Sequence, residues 1–363
     1  MRIRTLAALV LGGLMAAAPA SAAVAPGHGG PATAAGLGAA TTMAAAGPRS
    51  AAGTGTTGRG MSGHEHAGDT GDAVRYAALR TCKNKKKEDR PCGPWRLMLH
   101  SGKVRELPDA RVFPRDGHRK VHKDSPAPIA VSGNGGHIAY VRERDDRLVV
   151  RELTGKVHVM PAAALPAKTN MMGLDLALSL DGSTLAVHDG ANEKFLWLYD
   201  VASGRRLGSL PAGDELLGFS GDEDQVLTRR QTDENTTEII SYDLSGAEAT
   251  RQVPPQIAAQ DVPMALHADG DLVAFYSEGS RALKLFDLRS NAVVNSVRVK
   301  LPGGGAPDMV DWTGARQVTL HVLTGDAGNG TMHILQVDPG TGAVRVRDTY
   351  RVKNTFVFAA CGG

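Results

Sequence analysis

One phrase recurs along this chain. It runs as a short apolar stretch, a polar tight turn, a second apolar stretch, a third ending in an aromatic-Asp pair, and a Ser/Thr-Gly turn. The clearest copy spans Leu176 to Leu210, LALSLDGSTLAVHDGANEKFLWLYDVASGRRLGSL. A unit of four short strands repeated at roughly 45 residues is the signature of a β-propeller blade.

The first turn of the unit recurs as SGNGG (132–136), SLDGS (179–183), SGDED (220–224), HADGD (267–271) and WTGAR (312–316). Gly and Asp there suit the positive-φ positions of hairpin turns. The second strands read HIAYV, TLAVH, QVLT, LVAFY and VTLHV, and the third RLVVRE, FLWLYD, IISYD, LKLFD and ILQVD. That makes five complete units. Pieces of a sixth stand at the two ends. RYAALRTC (75–82), WRLML (95–99) and KVREL (103–107) match second, third and fourth strands, and the missing first strand returns as TFVFAACGG (355–363). Such a division predicts an all-β, six-bladed ring in which the C-terminal strand closes the first blade and removes an open sheet edge. A seven-bladed ring is the alternative, but it needs a further unit within 108–126, a polar, Pro-punctuated stretch.

The first 22 residues read as a secretory signal: Arg2 and Arg4, an apolar run from Leu6 to Ala18, and Ala20-Ser21-Ala22 as a small-residue cleavage site. The run is short of the ~20 residues a membrane span needs. The expected location is therefore secreted or extracellular, with cleavage near Ala22 and no membrane span in the mature chain. Residues 23–73 are dominated by Ala, Gly, Thr and Ser, a composition that cannot bury enough surface to offset backbone entropy, and read as a disordered spacer. The propeller is expected over 74–363. The formal charge is +3, and loss of Arg2 and Arg4 takes it to +1, no footprint for nucleic acid.

Cys82 and Cys92 flank KNKKKEDRP, a charged loop between apolar runs, and predict a disulfide at the base of a hairpin; Cys361 is the odd one. There is no CxxC or Cys-His spacing for zinc. His64-Glu65-His66 falls in the spacer. Asp222-Glu223-Asp224 and TGDAGNG (324–330) carry oxygen ligands for calcium without regular loop spacing, so no cofactor is predicted and calcium stays an open alternative. GFSGD (218–222) lacks the last Gly of a nucleophile elbow. The recurring aromatic-Asp carboxylates read as acceptors for the N–H groups of the following turn. Trp197, mid-strand, reads as core between blades.

Ser179-Leu180-Asp181-Gly182 with Leu185-Ala186-Val187, and the pairs Tyr199-Asp200, Tyr242-Asp243 and Phe286-Asp287, resemble the WD-repeat superfamily and its bacterial relatives, the TolB-propeller and YncE-like proteins. The Gly-His and Trp-Asp dipeptides of the eukaryotic repeats are not kept. The resemblance implies that ligands bind on the face built by the second-to-third and fourth-to-first strand loops. Two of those loops are basic: 83–91 with Lys83, Lys85, Lys86 and Lys87, and 108–126 with Arg111, Arg115, His118, Arg119, Lys120, His122 and Lys123. A third, QTDENTTE (231–238), reads as long and polar. If the basic loops share a face, Lys83, Lys85, Lys86, Lys87, Arg115, Arg119, Lys120 and Lys123 form a patch for an acidic partner. The expected function is thus a secreted, monomeric, non-enzymatic module binding an extracellular protein or an anionic cell-surface polymer. The alternative is a lactonase- or sugar-oxidising-type enzyme with a metal or cofactor in the channel, for which Asp175, Glu215, Asp261 and Asp308 stand near first-strand ends.

Overall fold

A computed structural model of the chain describes residues 72–360, apart from 256, 260–262 and 327. The signal 1–22, nearly all of the spacer, His64-Glu65-His66, Asp261 and Cys361 lie outside the described residues.

Blade 1 holds β1 (Val74–Lys83), β2 (Asp89–Leu99) and β3 (Val104–Leu107). Blade 2 holds β4 (Ile129–Val131), β5 (His137–Val141), β6 (Leu148–Glu152) and β7 (Val157–Val159). Blade 3 holds β8 (Leu174–Leu178), β9 (Thr184–Asp189), β10 (Leu196–Asp200) and β11 (Arg206–Leu210). Blade 4 holds β12 (Glu215–Phe219), β13 (Gln225–Gln231), β14 (Thr237–Asp243) and β15 (Glu248–Gln252). Blade 5 holds β16 (Met264–Leu266), β17 (Leu272–Ser277), β18 (Ala282–Asp287) and β19 (Ala292–Arg298). Blade 6 holds β20 (Met309–Gly314), β21 (Gln317–Asp326), β22 (Asn329–Val337) and β23 (Val344–Arg351). The last strand, β24 (Thr355–Ala360), adds to blade 1 in the order β24-β1-β2-β3, pairing antiparallel with β1 from Tyr76↔Ala360 to Arg80↔Thr355. The ring is six-bladed and closed by its C-terminal strand, as the divided repeat predicts. The stretch 108–126 supplies no seventh blade. It carries only the bridges Ala110↔Arg142 and Arg115↔Val121.

Alternating strand positions place apolar side chains on both faces of every sheet, and neighbouring sheets bury them against each other. Six buried clusters result, one at each blade junction. Most are aliphatic. The junction of blades 6 and 1 instead stacks Tyr76 on Tyr350 at 5.0 Å and sets Phe358 edge-on to Tyr76 at 6.1 Å. Such geometry adds to area burial at the one place where distant chain segments must meet. Trp95 and Trp312 are buried with their indole N–H groups donated to the carbonyls of Arg111 and Ala265. Trp197 is half-buried, stacked on Phe195 at 4.1 Å at the rim of the cluster between blades 2 and 3.

The repeat residues explain the turns. Asp200 accepts from Ser203 N–H, Asp243 from Ser245 and Ala247, Asp287 from Arg289 and Ser290, and Asp338 from Gly340 and Thr341. The aromatic-Asp carboxylates are therefore turn acceptors, not reactive groups. In the first turns, Asn134, Asp181 and Asp222 take the hydroxyls of Ser132, Ser179 and Ser220. Gly182 holds φ +80° there, and a Cβ would lie 2.4 Å from the His137 ring, so this turn admits only glycine. These turns also join one blade to the next. Asn134 N–H donates to Leu180 O, Asp181 N–H to Glu223 Oε1 and Gly221 N–H to Leu266 O.

Candidate functional site

The first turns of blades 2 to 6 lie at one end of the ring. The second-to-third hairpins and the fourth-to-first connections therefore share the other end, so loops 83–91 and 108–126 open on one face.

Blade 1 departs from the repeat on this face. Its two central strands overrun their neighbours. The β1–β24 ladder stops at Arg80 and the β2–β3 ladder reaches only Trp95, yet β1 and β2 stay paired through Thr81↔Pro91, Cys82↔Arg90 and Lys83↔Asp89. What projects is a two-stranded ribbon with a turn at 84–88. Such a ribbon is marginal in water by itself, and three devices hold it. The Cys82–Cys92 disulfide joins the strands where the ribbon leaves the sheet, with Cα atoms 5.9 Å apart. Lys83 pairs with Asp89 at 2.6 Å. Asn84 Oδ1 accepts from Lys86 N–H and Glu88 N–H, while its amide donates to Glu88. The turn thus satisfies its own backbone. Lys85, Lys86 and Lys87 are left exposed, with Lys87 at φ +64°, and none of them pairs with a carboxylate among the described residues.

The second basic loop is built differently. Its arginines converge on blade 2. Arg111, Arg115 and Arg119 all reach Asp146, in the hairpin between β5 and β6; Arg115 Nη1 stands 2.6 Å and Arg119 Nη2 3.5 Å from it. Arg111 is 2% exposed and also meets the Glu143 carboxylate at 3.4 Å and the Glu143 carbonyl at 3.0 Å. His122 Nε2 lies 3.0 Å from Asp116, a contact that holds the Asp116 carboxyl below its usual range. Of this loop's singled-out residues, His118, Lys120 and Lys123 have exposed side chains without a carboxylate partner among the described residues. The structure gathers Arg115 and Arg119 on Asp146 and leaves Lys85, Lys86 and Lys87 at the tip of the ribbon. It does not merge the two loops through any shared ion pair.

The third loop is much shorter than its composition suggests. β13 runs to Gln231 and β14 begins at Thr237, so the loop is 232–236, closed by Thr232 and Thr236. TGDAGNG is likewise mostly ladder, with Thr324↔Thr331 and Asp326↔Asn329 paired. Asp222 is committed to Ser220 and Asp224 N–H. Glu223, at φ +69°, reaches across to the turn of Asp181, and burial beside that carboxylate pushes the Glu223 carboxyl up to about 8.

Two of the sequence candidates for channel chemistry, Asp175 and Glu215, instead line a polar cleft of about 410 Å³ on the loop face between blades 3 and 4, which the sequence did not foresee. Asp175, His188, Asp214, Glu215 and Arg229 line it. His188 is buried, its Nε2 3.2 Å from Ala212 O and its Nδ1 3.8 Å from Asp175. Arg229 clamps Glu215 through Nε at 3.1 Å and Nη2 at 2.5 Å. Asp214 is fully buried and takes Thr228 Oγ1, Tyr242 OH and Arg230 Nε at 3.0, 3.0 and 2.5 Å. The same trio of Asp, Tyr and Arg recurs as Asp109, Tyr140 and Arg151 beside blade 2, where burial raises the Tyr140 phenol to about 12. Both are structural networks pinning a connection to a blade. Asp308, another sequence candidate, is occupied by Leu323 N–H at 2.8 Å. Among the described residues, no three His, Cys, Asp or Glu side chains converge as metal ligands.

No family model matches the chain, and no curated protein matches it. Among solved structures it is similar to a putative TolB from Agrobacterium tumefaciens, at 14% identity over 78% of this chain and 92% of that one, with a TM-score of 0.43. It is also similar to the propeller domain of the trilobed protease from Pyrococcus furiosus, at 12% identity over 76% and 80%, with a TM-score of 0.44. TolB from Acinetobacter baumannii aligns at 16% identity over 78% and 68%, with a TM-score of 0.38. At these identities a likeness speaks to fold alone, and the six-bladed ring stands on its own strand order.

Proposed function

We propose that this chain is an exported, monomeric, non-catalytic propeller that binds an acidic partner on its loop face. The contact we assign is the ribbon of blade 1, with Lys83, Lys85, Lys86 and Lys87, flanked by Lys120 and Lys123. One observation carries this reading: blade 1 alone extends a covalently braced ribbon beyond its sheet and tips it with three unneutralised cations. A ribbon that served only packing would bury its tip. Export is supported by the disulfide, which persists in an oxidising compartment, and by the character of residues 1–22. Among the described residues no helix is long and apolar enough to cross a membrane. Arg115 is held on Asp146 at 2.6 Å, and Arg119, though exposed, sits 3.5 Å from the same carboxylate, so its charge is partly neutralised.

The test is retention of partners from the extracellular fraction on the immobilised chain. Wild type should retain acidic material that a Lys85→Glu, Lys86→Glu, Lys87→Glu variant releases; equal retention by both would sink the assignment. A second reading, chemistry in the cleft between blades 3 and 4, is favoured by His188 beside Asp175. It predicts stoichiometric metal or cofactor in the purified chain by elemental analysis and absorption spectroscopy.

A further inference from the structure

The ribbon's chemistry distinguishes kinds of acidic partner. Folded proteins are held by anchors: aromatic side chains or arginines seated in desolvated pockets, with a rim around them. The tip of the ribbon offers none. KNKKKEDRP contains no aromatic and no large apolar residue, and its one guanidinium, Arg90, is half-buried opposite Cys82 at the base of the ribbon. In the second basic loop, the guanidinium groups of Arg111 and Arg115, which could match flat carboxylates bidentately, are drawn inward onto Asp146, and Arg119 stands on the surface with one 3.5 Å contact to the same carboxylate. The turn's N–H groups at Lys86 and Glu88 are consumed by Asn84, so the backbone has little left to give a partner. What remains is three ammonium groups on flexible stems at an exposed tip. Each is a compact point charge with three rotatable donors and no preferred approach.

Such a set fits a ligand whose charge is dense, repeated and orientationally undemanding. From this we infer that the Lys85–Lys87 tip binds a flexible linear polyanion bearing phosphate groups, not a folded acidic protein; the inference rests on the loop-face binding reading above. Adjacent ammoniums meet successive phosphates of a chain that bends to them, and released counterions drive association. Because the contacts are charge alone, binding is steep in salt and indifferent to the polymer's stereochemistry. The disulfide and the Lys83–Asp89 pair hold the tip clear of the ring so that a chain can pass over it.

The experiment uses the purified full chain and inorganic polyphosphate of defined length, titrated by calorimetry across a series of sodium chloride concentrations. With about three phosphates neutralised, log K should fall against log salt with a slope of roughly −2. At about a kcal/mol per lysine, Lys85→Gln, Lys86→Gln, Lys87→Gln should weaken binding about a hundredfold and flatten the slope, with the thermal melt not lowered. Lys120→Gln, Lys123→Gln should cost only a few-fold. Failure of polyphosphate to bind at low salt, while an acidic extracellular protein is retained in a tip-dependent way, overturns the polyanion inference and leaves the loop-face reading standing. Binding to anionic phospholipid vesicles but not to polyphosphate also overturns it, in favour of a lipid surface. If the tip variant binds polyphosphate and extracellular partners as wild type does, both the inference and the reading fall.

Discussion

Asp146 is the residue whose loss should move stability and binding in opposite directions. It anchors three arginines of the connection between blades 1 and 2. Arg111 is 2% exposed, so its guanidinium depends on its partners. Removing one partner of a buried pair costs about 3–5 kcal/mol when the other charge is left uncompensated. Here Glu143 remains at 3.4 Å and its carbonyl at 3.0 Å, but the Glu143 carboxylate is 54% exposed and compensates only in part. Asp146→Asn should therefore cost roughly 2–3 kcal/mol, or about 4–12 °C in melting temperature for a ring of this size. Calorimetry on wild type, Asp146→Asn and the double variant Arg111→Met, Asp146→Asn measures it. The double variant removes the stranded charge and should recover most of the loss. Arg115 and Arg119 become unpaired in Asp146→Asn, so polyphosphate affinity should rise a few-fold in the same protein. A melt within about 1 °C of wild type, or no recovery in the double variant, would refute the account of Arg111 as a buried cation held by Asp146.

Two further predictions concern the ribbon and the opposite face. Replacing both Cys82 and Cys92 by Ser frees a loop of 10 residues, a loss of about 2.7 kcal/mol by chain entropy; calorimetry should show roughly a 5–10 °C lower melt, and hydrogen exchange should accelerate at 83–91 before elsewhere. An unshifted melt with unchanged exchange would mean the bridge constrains nothing. For Glu223, the folded carboxyl titrates near 8 against an ordinary value of 4.5. Its contribution is fully present below the unfolded value and lost as pH rises through about 8, when two carboxylates face each other between blades 3 and 4. Glu223→Gln should match wild type near pH 4 and exceed it by roughly 1–2 kcal/mol at pH 9, after discounting for solvent at a partly exposed site; denaturant midpoints at the two pH values check the sign.

The blades were legible because burial imposes a period. Inner strands packed on both faces read as VAFY or LAVH, and their turns need Asp and Gly at positions with few substitutes. The divided sixth blade was legible for the same reason, since TFVFAA carries the first-strand pattern that RYAALRTC lacks. The ribbon beyond the sheet carries no such pattern. Its residues face water on both sides, so Lys83 to Asp89 and Gln231 to Thr237 show no alternation, and strand there reads as loop. The charge of the connection 108–126 was misjudged for a different reason. Counting its cations took no account of Asp146 and Glu143, which come from another blade's hairpin some 30 residues on. The cleft was invisible because Asp175 and Glu215 meet only when blades 3 and 4 pack side by side.

The ribbon's design can be weighed against its own charge. Taking a spacing of ~7 Å, three ammoniums would repel by roughly 0.6 kcal/mol per pair in water, near 2 kcal/mol together before salt screening. A bare two-stranded hairpin has no margin to absorb that. The disulfide's contribution of about 2.7 kcal/mol is of the right size to offset it. The ribbon of blade 4 sharpens the point. It overruns its sheet as well and carries Asp233 and Glu234 in its turn, but the turn closes on Thr232 and Thr236, its base is tied by Arg230 to Asp214, and it has no covalent brace. The brace therefore goes with the cationic tip and not with the length of the hairpin. A charge cluster held in place at the expense of local stability is what a binding surface requires and what a packing element would discard. On that ground the departure of blade 1 from the repeat is a stronger pointer to function than the repeat itself.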